Sequence, residues 1–258
     1  MKHVLAIAGR ELRSFFSTPT GYGIMTAYSV LAGFFFFVAL QEFFRQEQQF
    51  QAGHAFQYLQ MLNLNQWVIG PWLGTLGIVY VFLLPVLCMR TFAEERANGT
   101  IELLLTSPVS ATELVAGKYL AVLGMLGILT LITSIYPTLL FIYGDPELLQ
   151  TAGSLLSLFL YGAALAALGC FVSSLTRSQI LAVLILWAAN MVLLLIDKTA
   201  VYAGESALAE IPRYLGTQPH FENFLMGKVQ SEDLVYYASF VAFFLFLARS
   251  SVEALRWR

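Results

Sequence analysis

Six stretches of this chain, residues 22–40, 67–89, 119–143, 155–172, 180–196 and 234–247, contain no Asp, Glu, Lys, Arg or His. A continuous apolar run of about 18 residues or more is long enough to cross a bilayer as a helix. The first of them, as a helix, covers about 28 Å, close to one hydrocarbon core. The last is shorter and reaches the required length if its helix continues toward Val252 while Arg249 snorkels to the interface. Across all 258 residues, 58% are hydrophobic and 12% are charged, where soluble domains carry roughly a quarter charged residues. The expected fold class is therefore all-α and integral to the membrane, a single transmembrane domain over residues 1–258. The apolar run after Lys2, Arg10 and Arg13 is too long for the core of a secretory signal peptide and reads as a retained first span.

Lys and Arg between the spans set the expected orientation. With the N-terminus inside, ten (Lys2, Arg10, Arg13, Arg90, Arg96, Lys118, Arg177, Arg249, Arg256 and Arg258) face the cytoplasm, and four (Arg45, Lys198, Arg213 and Lys228) lie outside. Both termini are thus expected in the cytoplasm of a bacterial inner membrane, with one sizeable inner loop over residues 90–118. Two outer segments follow, over residues 41–66 and 197–233. A net charge of −2 offers no basic field for nucleic acid. Cys88 and Cys170 sit in apolar runs and read as small buried hydrophobes.

Before the first span, Val4, Ala8, Leu12, Phe15 and Phe16 recur at helical spacing while Lys2, Arg10, Arg13 and Ser14 point elsewhere. Residues 1–18 are expected to form an amphipathic interfacial helix on the inner leaflet. Arg10, Leu12, Arg13 and Phe16 mark its two faces, and the pattern serves a membrane anchor and a partner-holding helix equally. Inside the spans, Gly162, Ala163, Ala166, Ala167, Gly169 and Cys170 form a small-residue strip suited to close helix approach, and Gly70, Gly74, Gly124 and Gly127 read the same way. Pro85 and Pro137 each free a backbone carbonyl that a neighbouring helix or water must satisfy. Asn190 is read as an interhelical hydrogen-bonding group.

The inner loop has its own punctuation. Asn98-Gly99 is a helix stop, Thr100 can cap a short helix through Leu105, and Pro108 ends it. Ser110 and Glu113 stand at capping-box spacing, so the third span is expected to start in the cytoplasm and run unbroken into the membrane. Three consecutive leucines, Leu103, Leu104 and Leu105, cannot share one helix face, so at least one seeks a partner surface or the membrane interface.

Three segments of this region carry a family resemblance. They are Glu94-Glu95-Arg96 with Gly99-Thr100-Ile101-Glu102-Leu103-Leu104-Leu105-Thr106, then Pro108-Val109-Ser110, then Glu113-Leu114-Val115-Ala116-Gly117-Lys118. Together they resemble the signature of type-2 ATP-binding-cassette (ABC) permeases. The resemblance implies a cytoplasmic coupling helix between the second and third spans, seated on a separate ABC ATPase subunit. Glu94, Glu95, Arg96, Gly99, Thr100, Glu102, Leu103, Leu104, Leu105 and Pro108 would then form the docking element. It also implies a second copy of the chain or a sister permease, with ATP and Mg bound by the partner subunit and no cofactor in this chain. A later stretch, Tyr214-Leu215, His220-Phe221-Glu222-Asn223-Phe224, Gly227 and residues 231–237, resembles the gliding-motility and nitrous-oxide-reductase-maturation branch. It departs from that branch at Gly216-Thr217-Gln218-Pro219.

Neither Gly117-Lys118-Tyr119 nor Gly227-Lys228-Val229 has the spacing of a phosphate-cradling P-loop, so no ATP hydrolysis by that route is expected here. An intramembrane enzyme is disfavoured by the uncharged spans and by the scatter of His3, His54 and His220. A secondary carrier or channel is disfavoured by the lack of buried charge at the midplane. A structural membrane subunit stays open, with Glu205, Glu210, Arg213, His220 and Tyr214 in an outer segment whose Phe221, Phe224, Leu225 and Met226 are expected at the interface.

Overall fold

The computed structural model describes residues 2–52, 63–100, 109–202, 212, 214–228 and 230–255, and among these every regular element is helical. In chain order they are α1 (Lys2–Ser17), α2 (Pro19–Ala52), a π-helical turn (Asn65–Ile69), α3 (Gly70–Cys88), α4 (Arg90–Ala97), α5 (Ala111–Tyr143), α6 (Leu148–Leu175), α7 (Gln179–Tyr202), α8 (Thr217–Leu225) and α9 (Ser231–Leu255). Six helices are long and apolar enough to cross a membrane, and they coincide with the six uncharged runs.

The helices overrun those runs for local reasons. α2 continues past Leu40 because its polar tail pairs along one face: Arg45 to Glu42 at 2.8 Å, Gln46 to Glu42 at 2.9 Å and Gln51 to Glu47 at 3.2 Å. Such i,i+3 and i,i+4 pairs hold a solvated helix extension. α9 extends to Leu255 with Val252 buried, and Arg249 reaches Glu253 at 3.5 Å. α7 carries on to Tyr202 and takes residues 197–202 out of the expected outer segment.

α6 is the central helix, with a buried face from Thr151 to Ser174. Its small residues let α3 and α5 approach. A Cβ at Gly169 would lie 2.6 Å from Cys88, and one at Gly162 would lie 2.9 Å from Tyr80. Both cysteines are buried, as their setting predicts. At the start of α6, the buried Asn65 side chain crosses over to accept from the Glu147 amide at 2.7 Å and to donate to Thr151 Oγ1 at 2.9 Å. It serves as a helix cap borrowed from another segment.

Pro85 has no N–H to offer the Val81 carbonyl one turn back. Asn190 on α7 fills the gap, donating Nδ2 to Val81 O at 3.2 Å, and Trp187 Nε1 donates to the adjacent Phe82 O at 3.0 Å. The neighbouring helix that Pro85 requires is thus α7. Gly124 meets Leu12 and Gly74 meets Leu225, but a Cβ at Gly127 would meet nothing within 4 Å. The packing role expected of Gly127 therefore falls to Gly117, where a Cβ would lie 2.8 Å from Ile7.

The segment before the last span is also corrected. Phe221, Phe224 and Leu225 on α8 are buried, and only Met226 of the four is exposed. Phe221 inserts because Gly77 leaves room for its ring and Tyr161 stacks on it at 4.9 Å. Ser157 Oγ donates to the Phe221 carbonyl at 3.4 Å.

Candidate functional site

Four elements meet at the end of the bundle where α1 lies: α1, α4, the first turns of α5 and the last turn of α6. α5 begins as its sequence dictates. Ser110 Oγ accepts from the Glu113 amide at 3.2 Å, and Glu113 Oε2 accepts from the Ser110 amide at 3.0 Å, closing a capping box. The helix then runs unbroken to Tyr143. Leu114, Val115, Lys118, Ala121, Val122 and Met125 share its buried face, so a lysine stands in an otherwise apolar stripe.

Lys118 is the hub. Only 2% of its side chain is exposed, and Nζ lies 2.8 Å from Glu95 on α4 and 3.2 Å from Glu11 on α1. The ammonium also sits 5.3 Å from the Phe92 ring centroid, a cation–π distance. Arg10 extends the network, 2.9 Å from Glu11 and 4.0 Å from Glu95. Burial pushes the Glu11 carboxyl up, but the charges of Lys118 and Arg10 and their hydrogen bonds outweigh it and hold the group below the usual carboxylate range. Glu95 keeps one buried oxygen, Oε2, without a hydrogen-bond partner.

α4 is fixed to α6 by a second set of bonds. Ser173 Oγ accepts from the amides of Phe92 and Ala93 at 3.0 and 3.1 Å and donates to Met89 O at 3.1 Å. The Phe92 amide belongs to the first turn and has no acceptor within α4, so a serine from another helix caps α4. At the other end of α4, Arg96 donates to the Ser174 carbonyl, which also accepts from Ser251 of α9 at 3.3 Å. α4 then stops at Ala97, and Gly99 turns the chain at φ +70°, where a side chain would be strained. Thr100 is exposed, its hydroxyl 3.4 Å from the Glu95 carbonyl.

Of the residues singled out in the sequence, Glu94, Glu95, Arg96, Gly99 and Thr100 fall on α4 and the turn after it. Glu102, Leu103, Leu104, Leu105 and Pro108 lie outside the described residues. On α1, Arg10 and Arg13 are exposed, whereas Leu12 and Phe16 are half-buried against the core. Sequence reasoning missed Glu11, Lys118 and Ser173 as parts of this assembly. Lys118 left a readable signal, since it occupies a position of the apolar stripe defined by Leu114, Ala121 and Met125.

The opposite end carries a smaller polar cluster. His220 Nδ1 lies 2.6 Å from Asp233 Oδ1, Asn223 Nδ2 donates to both Asp233 oxygens at 3.3 Å, and the imidazole stacks on Tyr236 with centroids 3.9 Å apart. Its effect is to pin α8 against the start of α9.

Residues 5–253 match the family model described as ABC-2 family transporter protein. No curated protein matches the chain.

Proposed function

The chain belongs to the ABC-2 family of transporter proteins, and from that premise we propose that it is the permease subunit of an ABC transporter, driven by a separate ATPase that grips residues 94–108. The observation that carries this reading is the buried Lys118 joined to both Glu95 and Glu11. Through it, α1, α4 and α5 are tied into one block on either side of the segment in the sequence between α4 and α5, and Ser173 and Arg96 add α6.

A force on the segment between α4 and α5 has a direct route into the membrane. α5 starts at Ala111 and is 33 residues long, about 50 Å at helical rise. A displacement at its capping box therefore travels the full bilayer without melting a turn. The push is useful only if the ATPase holds this segment differently in its open and closed states, because uniform binding shifts no equilibrium. ATP and Mg belong to the ATPase subunit. Two permease chains, identical or sister, complete the pathway, and the output is export or mechanical transmission. The excess of Lys and Arg at the α1 end supports the reading that both termini are cytoplasmic in a bacterial inner membrane. Within the family, the resemblance of the stretch around His220 and Asn223 supports reading the chain as close to the gliding-motility and nitrous-oxide-reductase-maturation branch.

The test is the partner's ATPase rate in vesicles. Replacing Glu102 and Leu104 together by Ala should abolish its stimulation by the permease while the six spans stay folded. Full stimulation by the well-folded double variant overturns the assignment of this segment.

A further inference from the structure

A groove of about 640 Å³ runs between α2 and α3 on the outer face of the bundle. Its wall on α2 has two small positions among Ile24, Leu31 and Phe35: a Cβ at Gly23 would meet nothing within 4 Å, and Ala27 lies one turn further on. From Thr20 to Phe35 the groove follows α2 for about 22 Å, more than the roughly 15 Å depth of one leaflet's hydrocarbon. The α3 wall is apolar apart from Thr75, and among the described residues the only ionisable one in the lining is Arg90, at the α1 end. There Arg90 donates from one terminal nitrogen to Thr20 Oγ1 at 3.1 Å. Its Nε is buried without a hydrogen-bond partner, with Glu94 Oε2 4.0 Å away.

We infer that this groove holds one acyl chain of an anionic phospholipid, whose phosphate is met by Arg90 and Thr20. A lipid-facing surface needs only to be apolar. This one is concave over a full leaflet and ends at a guanidinium whose side chain is 37% exposed beside the exposed Thr20, at the level where headgroups begin. Charge complementarity selects the occupant: a phosphate accepts charge-assisted hydrogen bonds from the exposed part of the guanidinium, whereas an apolar helix from another protein would cover that charge with no anion to meet it. The site does not depend on an ATPase partner or on which leaflet the α1 end occupies.

Native mass spectrometry of the purified full chain tests this, after exchange into mixed vesicles of equimolar dioleoylphosphatidylglycerol and dioleoylphosphatidylcholine. The wild type should retain one tightly held phosphatidylglycerol per chain, about tenfold over phosphatidylcholine, the discrimination expected of one charge-assisted contact. Ala27→Trp, which fills the groove, should abolish retention of either lipid. Arg90→Gln should keep a lipid but lose the preference, and Arg90→Lys should restore part of it, which separates loss of charge from loss of fold. Equal retention of both lipids by the wild type, or unchanged retention in Ala27→Trp, overturns the proposal. So does a groove covered by a second chain, seen as a dimer that carries no lipid and dissociates in Ala27→Trp.

Discussion

Lys118 shows why a single charged side chain can organise a membrane protein's end. A buried ammonium is costly unless its charge is met, and here two carboxylates and an aromatic face meet it. Removing one partner of such a set leaves the others uncompensated. Lys118→Met should therefore destabilise the protein by about 3 kcal/mol, read as a lowered thermal unfolding midpoint in detergent. Adding Glu95→Gln to that variant should recover part of the loss, because Glu95 already holds one unsatisfied buried oxygen. Equal midpoints for wild type and Lys118→Met would show that the cluster is not what ties α1 to α4 and α5. Nothing in the composition foretells this hub. Glu11 and Glu95 are distant in sequence from Lys118, and only the α5 stripe hints that the lysine faces inward.

Among the elements, α1 and α5 fit through a groove of glycines. Ile7 sits over Gly117 and Leu12 over Gly124, seven positions apart on one face of α5. Gly117→Ala should weaken this docking by about 1–3 kcal/mol through overpacking. Gly127→Ala, where a Cβ meets nothing, should be neutral or gain up to about 1 kcal/mol in helix propensity. Hydrogen exchange across α1 distinguishes the two, with faster exchange expected only in the first; equal exchange in both would remove the glycine groove from the account.

The elements themselves were largely legible. Six uncharged runs gave six helices, Ser110 and Glu113 gave the start of α5, Asn98-Gly99 gave the end of α4, and Pro85 called for the donor that α7 supplies. What was not legible depends on which helices become neighbours. The inward turn of Phe221 requires Gly77 from another helix, and the cap on α4 comes from Ser173 some eighty residues away. The polar tail of α2 was read as the end of a span because hydropathy falls there, although helix propensity does not.

For the whole molecule, the structure has two unlike ends joined by continuous helices. One is a charged block of α1, α4, α5 and α6. The other is a packed cap in which α8 is pinned by Asp233 and Phe221. An applied force at the first end and a response at the second is the division of labour expected of a permease driven from outside itself. The central claim is that another protein's nucleotide-binding subunit holds the segment between α4 and α5. A photo-crosslinking amino acid placed at position 104, and separately at exposed Met226, tests it in membranes. An adduct to an ATPase subunit is expected from position 104, with a yield that changes with ATP, and none from position 226. Crosslinking from position 104 to lipid alone, or from position 226 to the ATPase, would contradict it.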